Sequence, residues 1–258
     1  MKEKVICKLC LQEKKLRNSH ILPEFMYSGI YDKNPKRFYE VKYVNNKPFS
    51  RIEQKGKREY LLCADCEVKL SKYERYADET LNGKNRNNKT FLVNISQTVN
   101  KKNFLYEFEK FDYKSMKIFL DSLLWRLIIS KSFATPEYGY ELVEKLRLSI
   151  LNEVPLDENE FPCLINSILS EPGKQLRGFI ISPVKRKYEN GEILSVFIDG
   201  FEYNFFMDYK PSNDGINPVL QKNGDLKIFG ILLSERPDLI EFIKDKMDYL
   251  EKKIKGRR

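Results

Sequence analysis

Two Cys-x-x-Cys pairs, Cys7-Lys8-Leu9-Cys10 and Cys63-Ala64-Asp65-Cys66, restrict the fold of this chain more than any other feature. Each pair can grip one ion from a tight turn, and four thiolates are the ligand set of a closed tetrahedral zinc site. Such an ion staples the two turns together and obliges residues 11–62 to leave and return. A redox Cys-x-x-Cys is the other reading, and the presence of two pairs and the absence of a βαβ context weigh against it. With four thiolates no coordination position stays open, so the expected zinc is structural. The fifth cysteine, in Phe161-Pro162-Cys163-Leu164-Ile165, reads as a buried structural thiol.

Metal takes precedence over disulfides because a reducing compartment is expected. The opening Met-Lys-Glu-Lys-Val-Ile-Cys has no apolar signal core, which predicts a cytoplasmic protein. No stretch approaches the roughly 20 apolar residues of a membrane span. The best run, Leu123 to Ile129, is broken by Arg126, so no membrane partner is expected.

Charge is unevenly distributed. Residues 1–90 hold 21 Lys+Arg against 12 Asp+Glu, whereas residues 91–258 hold 25 of each. The whole formal excess of +9 therefore lies with four of the five cysteines and the only histidine, His20. A local positive field favours polyanions, because neutralising phosphates releases counterions. The lone histidine excludes every site that needs two. A short basic tail, Lys252-Lys253-Ile254-Lys255-Gly256-Arg257-Arg258, reads as a solvated end.

The periodicity predicts an α+β chain. Phe38 to Val44 and Pro48 to Ile52 flank Asn45-Asn46 as a β-hairpin, and Glu67 to Leu81 reads as a helix. The Asn- and Lys-rich run from Asn82 to Lys89 marks a boundary near residue 88, dividing the chain into 1–88 and 89–258. Beyond it, Thr90 to Gln97 and Phe104 to Phe108 read as paired strands. Asp112 to Ser132 is a long helix whose stripe of Met116, Phe119, Leu120, Leu123, Leu124, Leu127 and Ile128 faces a core. Glu137 to Leu151 is a second helix. Leu176 to Pro183, Glu192 to Phe197 (after Glu189-Asn190-Gly191), Glu202 to Asp208 and Leu226 to Ser234 make an antiparallel sheet, and Pro237 opens a closing helix to about Ile254.

The remaining signal is Ser19-His20-Ile21-Leu22-Pro23, which follows the first cysteine pair, and Glu67, which follows the second directly. The ordered set Cys-x-x-Cys, His-Ile-x-Pro and Leu-Cys-x-x-Cys, over roughly residues 5–80, resembles the HNH endonucleases in their zinc-stapled form, the ββα-metal nucleases. The resemblance implies an N-terminal ββα-metal domain and a C-terminal α+β accessory domain. His20 then takes the general-base position and Glu67 the metal-ligand position at the opening of the helix. Two positions depart from the pattern: Ser19 stands where an acidic or histidine ligand is usual, and Glu67 where the last histidine is usual. No asparagine occurs in Gly56-Lys57-Arg58-Glu59, where the middle Asn belongs. A hard Mg²⁺ or Mn²⁺ accepts the change to carboxylate.

On that resemblance, an imidazole with a pKa near 6.5 activates water, and a divalent cation holds the scissile phosphate. Its ligands would be Glu67 with an oxygen from Asn18 or Ser19. Glu74 is a further candidate, although seven residues along a helix is roughly 10 Å, too far for one ion shared with Glu67; a salt bridge is its other reading. Asp65 reads as a turn residue. Lys36, Arg37, Lys42, Arg51, Lys55, Lys57 and Arg58, interleaved with Phe38, Tyr39 and Tyr43, would form a phosphate-tracking surface.

Three functions stay open: a metal-dependent endonuclease acting on double-stranded DNA, as in anti-phage defence or restriction; a non-catalytic zinc-dependent nucleic-acid-binding protein; and an RNA-cleaving toxin. The C-terminal part would supply target selection, regulation, or contact with a protein partner or a second copy.

Overall fold

The computed structural model describes residues 5–44, 47–82, 91–97, 103–133, 135–188, 191–209 and 219–255. The run 83–90, and with it the expected boundary, lies outside them, as do Asn45-Asn46, Glu189-Asn190 and the last three residues.

In the first third, β1 (Val5–Ile6) and β2 (Glu13–Lys14) pair antiparallel on either side of the first cysteine turn. Next, β3 (Leu16–His20) leads to a 3₁₀ turn over Glu24–Tyr27 and then to β4 (Asp32–Lys33), β5 (Lys36–Val44) and β6 (Lys47–Glu53). The last two form the expected hairpin, in a register that sets Val44 opposite Lys47. The chain then returns as β7 (Arg58–Cys63), antiparallel to β3, and enters α1 (Ala64–Leu81). The predicted helix is present and begins three residues early, so that the second cysteine pair lies across its first turn.

The remainder runs β8 (Phe91–Gln97), β9 (Phe104–Glu109), α2 (Tyr113–Ile129), α3 (Tyr140–Asn152), β10 (Cys163–Glu171), β11 (Lys174–Gln175), β12 (Ile180–Tyr188), β13 (Gly191–Ile198), β14 (Phe201–Phe206), β15 (Leu226–Leu232) and α4 (Pro237–Lys255). One eight-stranded sheet has the order β12-β13-β14-β10-β15-β9-β8, with β11 on β10. It is mixed, where a purely antiparallel sheet was expected. The added strand is β10, which runs antiparallel to β14 but parallel to β15. Its sequence, Cys-Leu-Ile-Asn-Ser-Ile-Leu-Ser-Glu, shows no apolar–polar alternation because both faces are covered, as central strands tend to be. Cys163 is buried within it, as expected.

The turn between β13 and β14 is Asp199-Gly200, both at positive φ (45° and 99°), the geometry that favours Asp-Gly in a two-residue hairpin. Asp199 is buried and reaches back to the first third: its carboxylate accepts the Gly29 N–H at 3.1 Å and the Gly178 N–H at 2.9 Å, and pairs with Arg177.

At the centre lies α2, capped by Asp112, whose carboxylate accepts the Ser115 N–H at 2.6 Å. Nearly every residue from Met116 to Leu127 is buried, as befits a helix apolar almost all round. Helix α1 packs on one side of it and α3 on another. The hydrophobic core is continuous across both parts of the chain, from Leu9, Ile21 and Leu70 through Leu123 and Trp125 to Phe205. No helix among the described residues is long and apolar enough to cross a membrane.

Charged side chains also sit inside this core: on α2, Lys117 pairs with Asp121 of the same helix, and Arg126 turns to other elements. Arg126, 2% exposed, donates from Nη1 to Glu74 Oε1 of α1 at 2.7 Å and to the His20 carbonyl at the end of β3 at 3.2 Å; its Nε donates to Ser122 O at 3.2 Å. The residue that breaks the apolar run in the sequence thus joins α2 to α1 and β3. Arg126→Leu, which leaves a carboxylate and a carbonyl without their donor, is expected to lower unfolding stability by about 3 kcal/mol, read from urea denaturation.

Candidate functional site

The two cysteine pairs converge. The Sγ atoms of Cys7, Cys10, Cys63 and Cys66 all lie within 4.8 Å of one another, Cys10 and Cys63 at 3.9 Å, and all four are free thiols. Thiolates held tetrahedrally about 2.3 Å from one ion stand roughly 3.8 Å apart, whereas a disulfide brings sulfurs to about 2 Å. The four cysteines are therefore positioned to hold a metal ion.

Local backbone builds this centre. The Leu11 N–H closes the first turn onto Cys7 O at 2.9 Å, with Leu11 in the left-handed region at φ 57°. In the β3–β7 register, Arg17 faces Leu62 and Asn18 faces Tyr60, which leaves Leu61 as a bulged residue. Its carbonyl turns to accept the Lys8 N–H at 2.9 Å and seats the first turn on the second. From α3, buried Arg147 donates to Leu9 O at 2.5 Å, and Lys14 pairs with Asp65 at 2.8 Å across the two turns. Burial works against the Cys7 thiolate, but backbone N–H groups of Cys10, Cys63 and Leu9 outweigh it and bring its pKa down to about 7. Burial pushes the Cys10 and Cys66 thiols up, and a cation among them would draw those protons off.

Next to this centre, β3 ends at His20. Alternation along the strand turns Ser19 inward, where it is buried: its Oγ accepts the Leu62 N–H at 3.1 Å and donates to Arg17 O at 3.4 Å. His20 and Asn18 take the other face. The His20 Nε2 lies 2.8 Å from Glu24 Oε2. Glu24 also accepts from Lys36 Nζ at 2.6 Å and from the Tyr31 hydroxyl at 3.4 Å, and Arg58 Nη2 stands 3.9 Å away.

Burial opposes the charge on Glu24, but hydrogen bonds led by Lys36 hold its carboxyl below the usual range. Glu24 is then a carboxylate, which only accepts, so Nε2 must be the donor. The neutral ring keeps its lone pair on Nδ1. Burial first, and the Arg58 charge second, lower the His20 pKa below 6.5 against the pull of Glu24. A neutral imidazole at pH 7, with a defined tautomer and a carboxylate behind it, can take a proton.

The other expected site residues fall as follows. Glu67 lies in the first turn of α1, with Oε1 buried and without a hydrogen-bond partner; among the described residues no hydrogen bond or ion pair joins it to His20. The acid that α1 brings to His20 is Glu74, through Arg126. Its salt-bridge reading is the one found. Asn18 is exposed opposite Tyr60.

Most of the expected phosphate contacts are ion-paired inside the protein: Lys36 and Arg58 with Glu24, Arg37 with Asp32, Arg51 with Glu40 and Glu53, and Lys57 with Glu40. Lys42 stands opposite Phe49 on β5, and its side chain lies outside the described residues. Sequence reasoning passed over Glu24 and Arg126. The His-x-x-x-Glu spacing across Pro23 was a signal for the first; the second registered only as a break in an apolar stripe.

No protein-family model matches this chain, nor does any curated protein or solved structure. The site therefore rests on its own geometry.

Elemental analysis of freshly purified protein is expected to find one metal ion per chain, and Cys63→Ser to lose the ion together with the folded near-UV signal. With a single histidine, proton NMR follows His20 without ambiguity, and its midpoint is expected below 6.5. Because the folded state binds this proton less tightly than the unfolded chain, its contribution to stability is complete above pH 6.5 and falls as the pH drops from there through the folded midpoint. His20→Gln should flatten that part of the stability profile.

Proposed function

We propose that the protein is an endonuclease that hydrolyses phosphodiester bonds of DNA, with His20 as general base and a structural zinc ion on Cys7, Cys10, Cys63 and Cys66. The observation that carries this reading is the His20–Glu24 pair at 2.8 Å, beside Lys36 and Arg58, at the end of a strand stapled to the cysteine cluster. The order of elements supports it: β3, the returning β7 and α1 form a strand–strand–helix unit, the order implied by resemblance to the ββα-metal nucleases. Residues 21–57 are the insertion between the two strands.

In the proposed reaction, water set against His20 Nδ1 gives up a proton to the ring as its oxygen attacks phosphorus; the leaving oxygen departs with the electron pair of its bond and takes a proton from solvent, and the imidazolium returns its own to solvent. Glu24 keeps the ring oriented and steadies the imidazolium that forms. Lys36 and Arg58 share the single Glu24 carboxylate, and the positive charge left over meets the phosphate.

The catalytic Mg²⁺ or Mn²⁺ that the resemblance implies finds no ready cage. Among the described residues the four cysteines are the sole group of three or more side chains with ligand atoms close enough for a metal. The Ser19 hydroxyl is engaged with backbone, Glu74 with Arg126, and Glu67 has no tie to His20. These residues do not fit such an ion. That arrangement favours one second reading, a zinc-dependent nucleic-acid-binding protein without catalysis.

Plasmid nicking separates the two. Wild type is expected to cut, His20→Ala to lose at least about 100-fold in rate, and Glu24→Gln to lose activity with a shifted pH profile. Glu67→Ala is expected to cut like wild type. Binding of duplex without nicking, under Mg²⁺, Mn²⁺ or neither, would establish the second reading instead.

A further inference from the structure

The two faces of the β3–β7 ribbon differ. Ser19 and Glu59, opposite each other in the register, turn to the body: Ser19 is buried, and Glu59 Oε1 accepts from the Ser132 N–H at 2.7 Å and from its hydroxyl at 2.6 Å. By alternation their neighbours take the other face, with His20 opposite Arg58 and Asn18 opposite Tyr60. Tyr60 is 69% exposed. Among the described residues its hydroxyl makes no hydrogen bond and its ring meets no other aromatic ring.

An exposed tyrosine therefore lies two residues along β7 from Arg58, about 6–7 Å in strand rise, and thus within one nucleotide step of the His20 site. Asn18 beside it offers an amide donor and acceptor. On the same face Arg58 stands opposite His20, next to this pair. An aromatic face beside an amide and close to a cation is the chemistry that holds an unstacked base near a backbone phosphate.

We propose that Tyr60 is a stacking platform for one base of a single-stranded stretch of DNA, and that Asn18 meets the edge of that base. This deepens the endonuclease reading and rests on it. The strand enters the site with a base out of the helix, so single-stranded, frayed or locally opened DNA is the preferred substrate over closed duplex.

The test is fluorescence anisotropy with the full-length His20→Ala protein, which binds without cutting, against a labelled 12-nucleotide oligo(dT) and a blunt 12-base-pair duplex. Tyr60→Ala is expected to weaken oligo(dT) binding about tenfold and to leave duplex binding within about twofold. Tyr60→Phe, which keeps the ring, should bind oligo(dT) within about twofold of the parent. Thermal melts of both variants are expected to match the parent, since the side chain is exposed. Unchanged oligo(dT) affinity in Tyr60→Ala overturns the platform, as does an equal loss on both DNAs. Failure of the parent to bind either DNA is a different result: it overturns the DNA reading itself and the platform with it.

Discussion

The convergence of four sulfur atoms to within 4.8 Å is the constraint on which the first third of the chain depends. The strands it joins are poor ones by themselves. Leu16 to His20 has one apolar side chain in five, and β1 and β2 are two residues each. A two-stranded ribbon of such residues has too little apolar surface to persist in water. A metal ion held by the four thiolates would supply what apolar burial does not, because the free energy of filling such a site is also free energy of folding. The bulge at Leu61 shows how far the backbone accommodates this, since its carbonyl leaves the ladder to serve the first cysteine turn.

The second constraint is the guanidinium of Arg126. A buried cation is tolerated when its partners are in place, and here the partners come from three elements: Ser122 of its own helix, Glu74 of α1 and the carbonyl of His20. The cysteine cluster brings β3 and α1 together, and Arg126 joins the end of β3 to α2. Arg147 makes the corresponding link from α3 to the first cysteine turn. The accessory part of the chain is therefore involved in positioning His20, whatever else it does.

Much of this was legible in the sequence where local chemistry decides. The cysteine spacing announced the cluster, the Asn-Asn between alternating strands announced the hairpin, and the apolar stripe from Met116 to Ile128 announced the central helix. The rest depends on tertiary context. Strand β3 shows no apolar–polar alternation in its sequence because the residue it turns to the buried face, Ser19, is polar and is satisfied by backbone partners. Strand β10 was hidden because a strand covered on both faces loses its period. Glu24 was missed because a residue in a 3₁₀ turn has no periodicity to mark it, and only the fold shows that four positions after His20 its carboxylate meets the ring. The cation surface was overread for the opposite reason: a count of lysines and arginines says nothing of Glu24, Glu40, Glu53 and Asp32, which neutralise most of it.

Arg126 also has an optical consequence. The residue beside it, Trp125, is the one tryptophan of the chain; it is 1% exposed and its indole N–H has no hydrogen-bond partner. An indole so enclosed emits in the blue and shifts to the red when water reaches it. Since α2 is held against β3 by the very next side chain, release of the His20 strand loosens the packing around the lone fluorophore. The protein thus carries an intrinsic dye at its centre, next in sequence to the arginine that holds the His20 carbonyl.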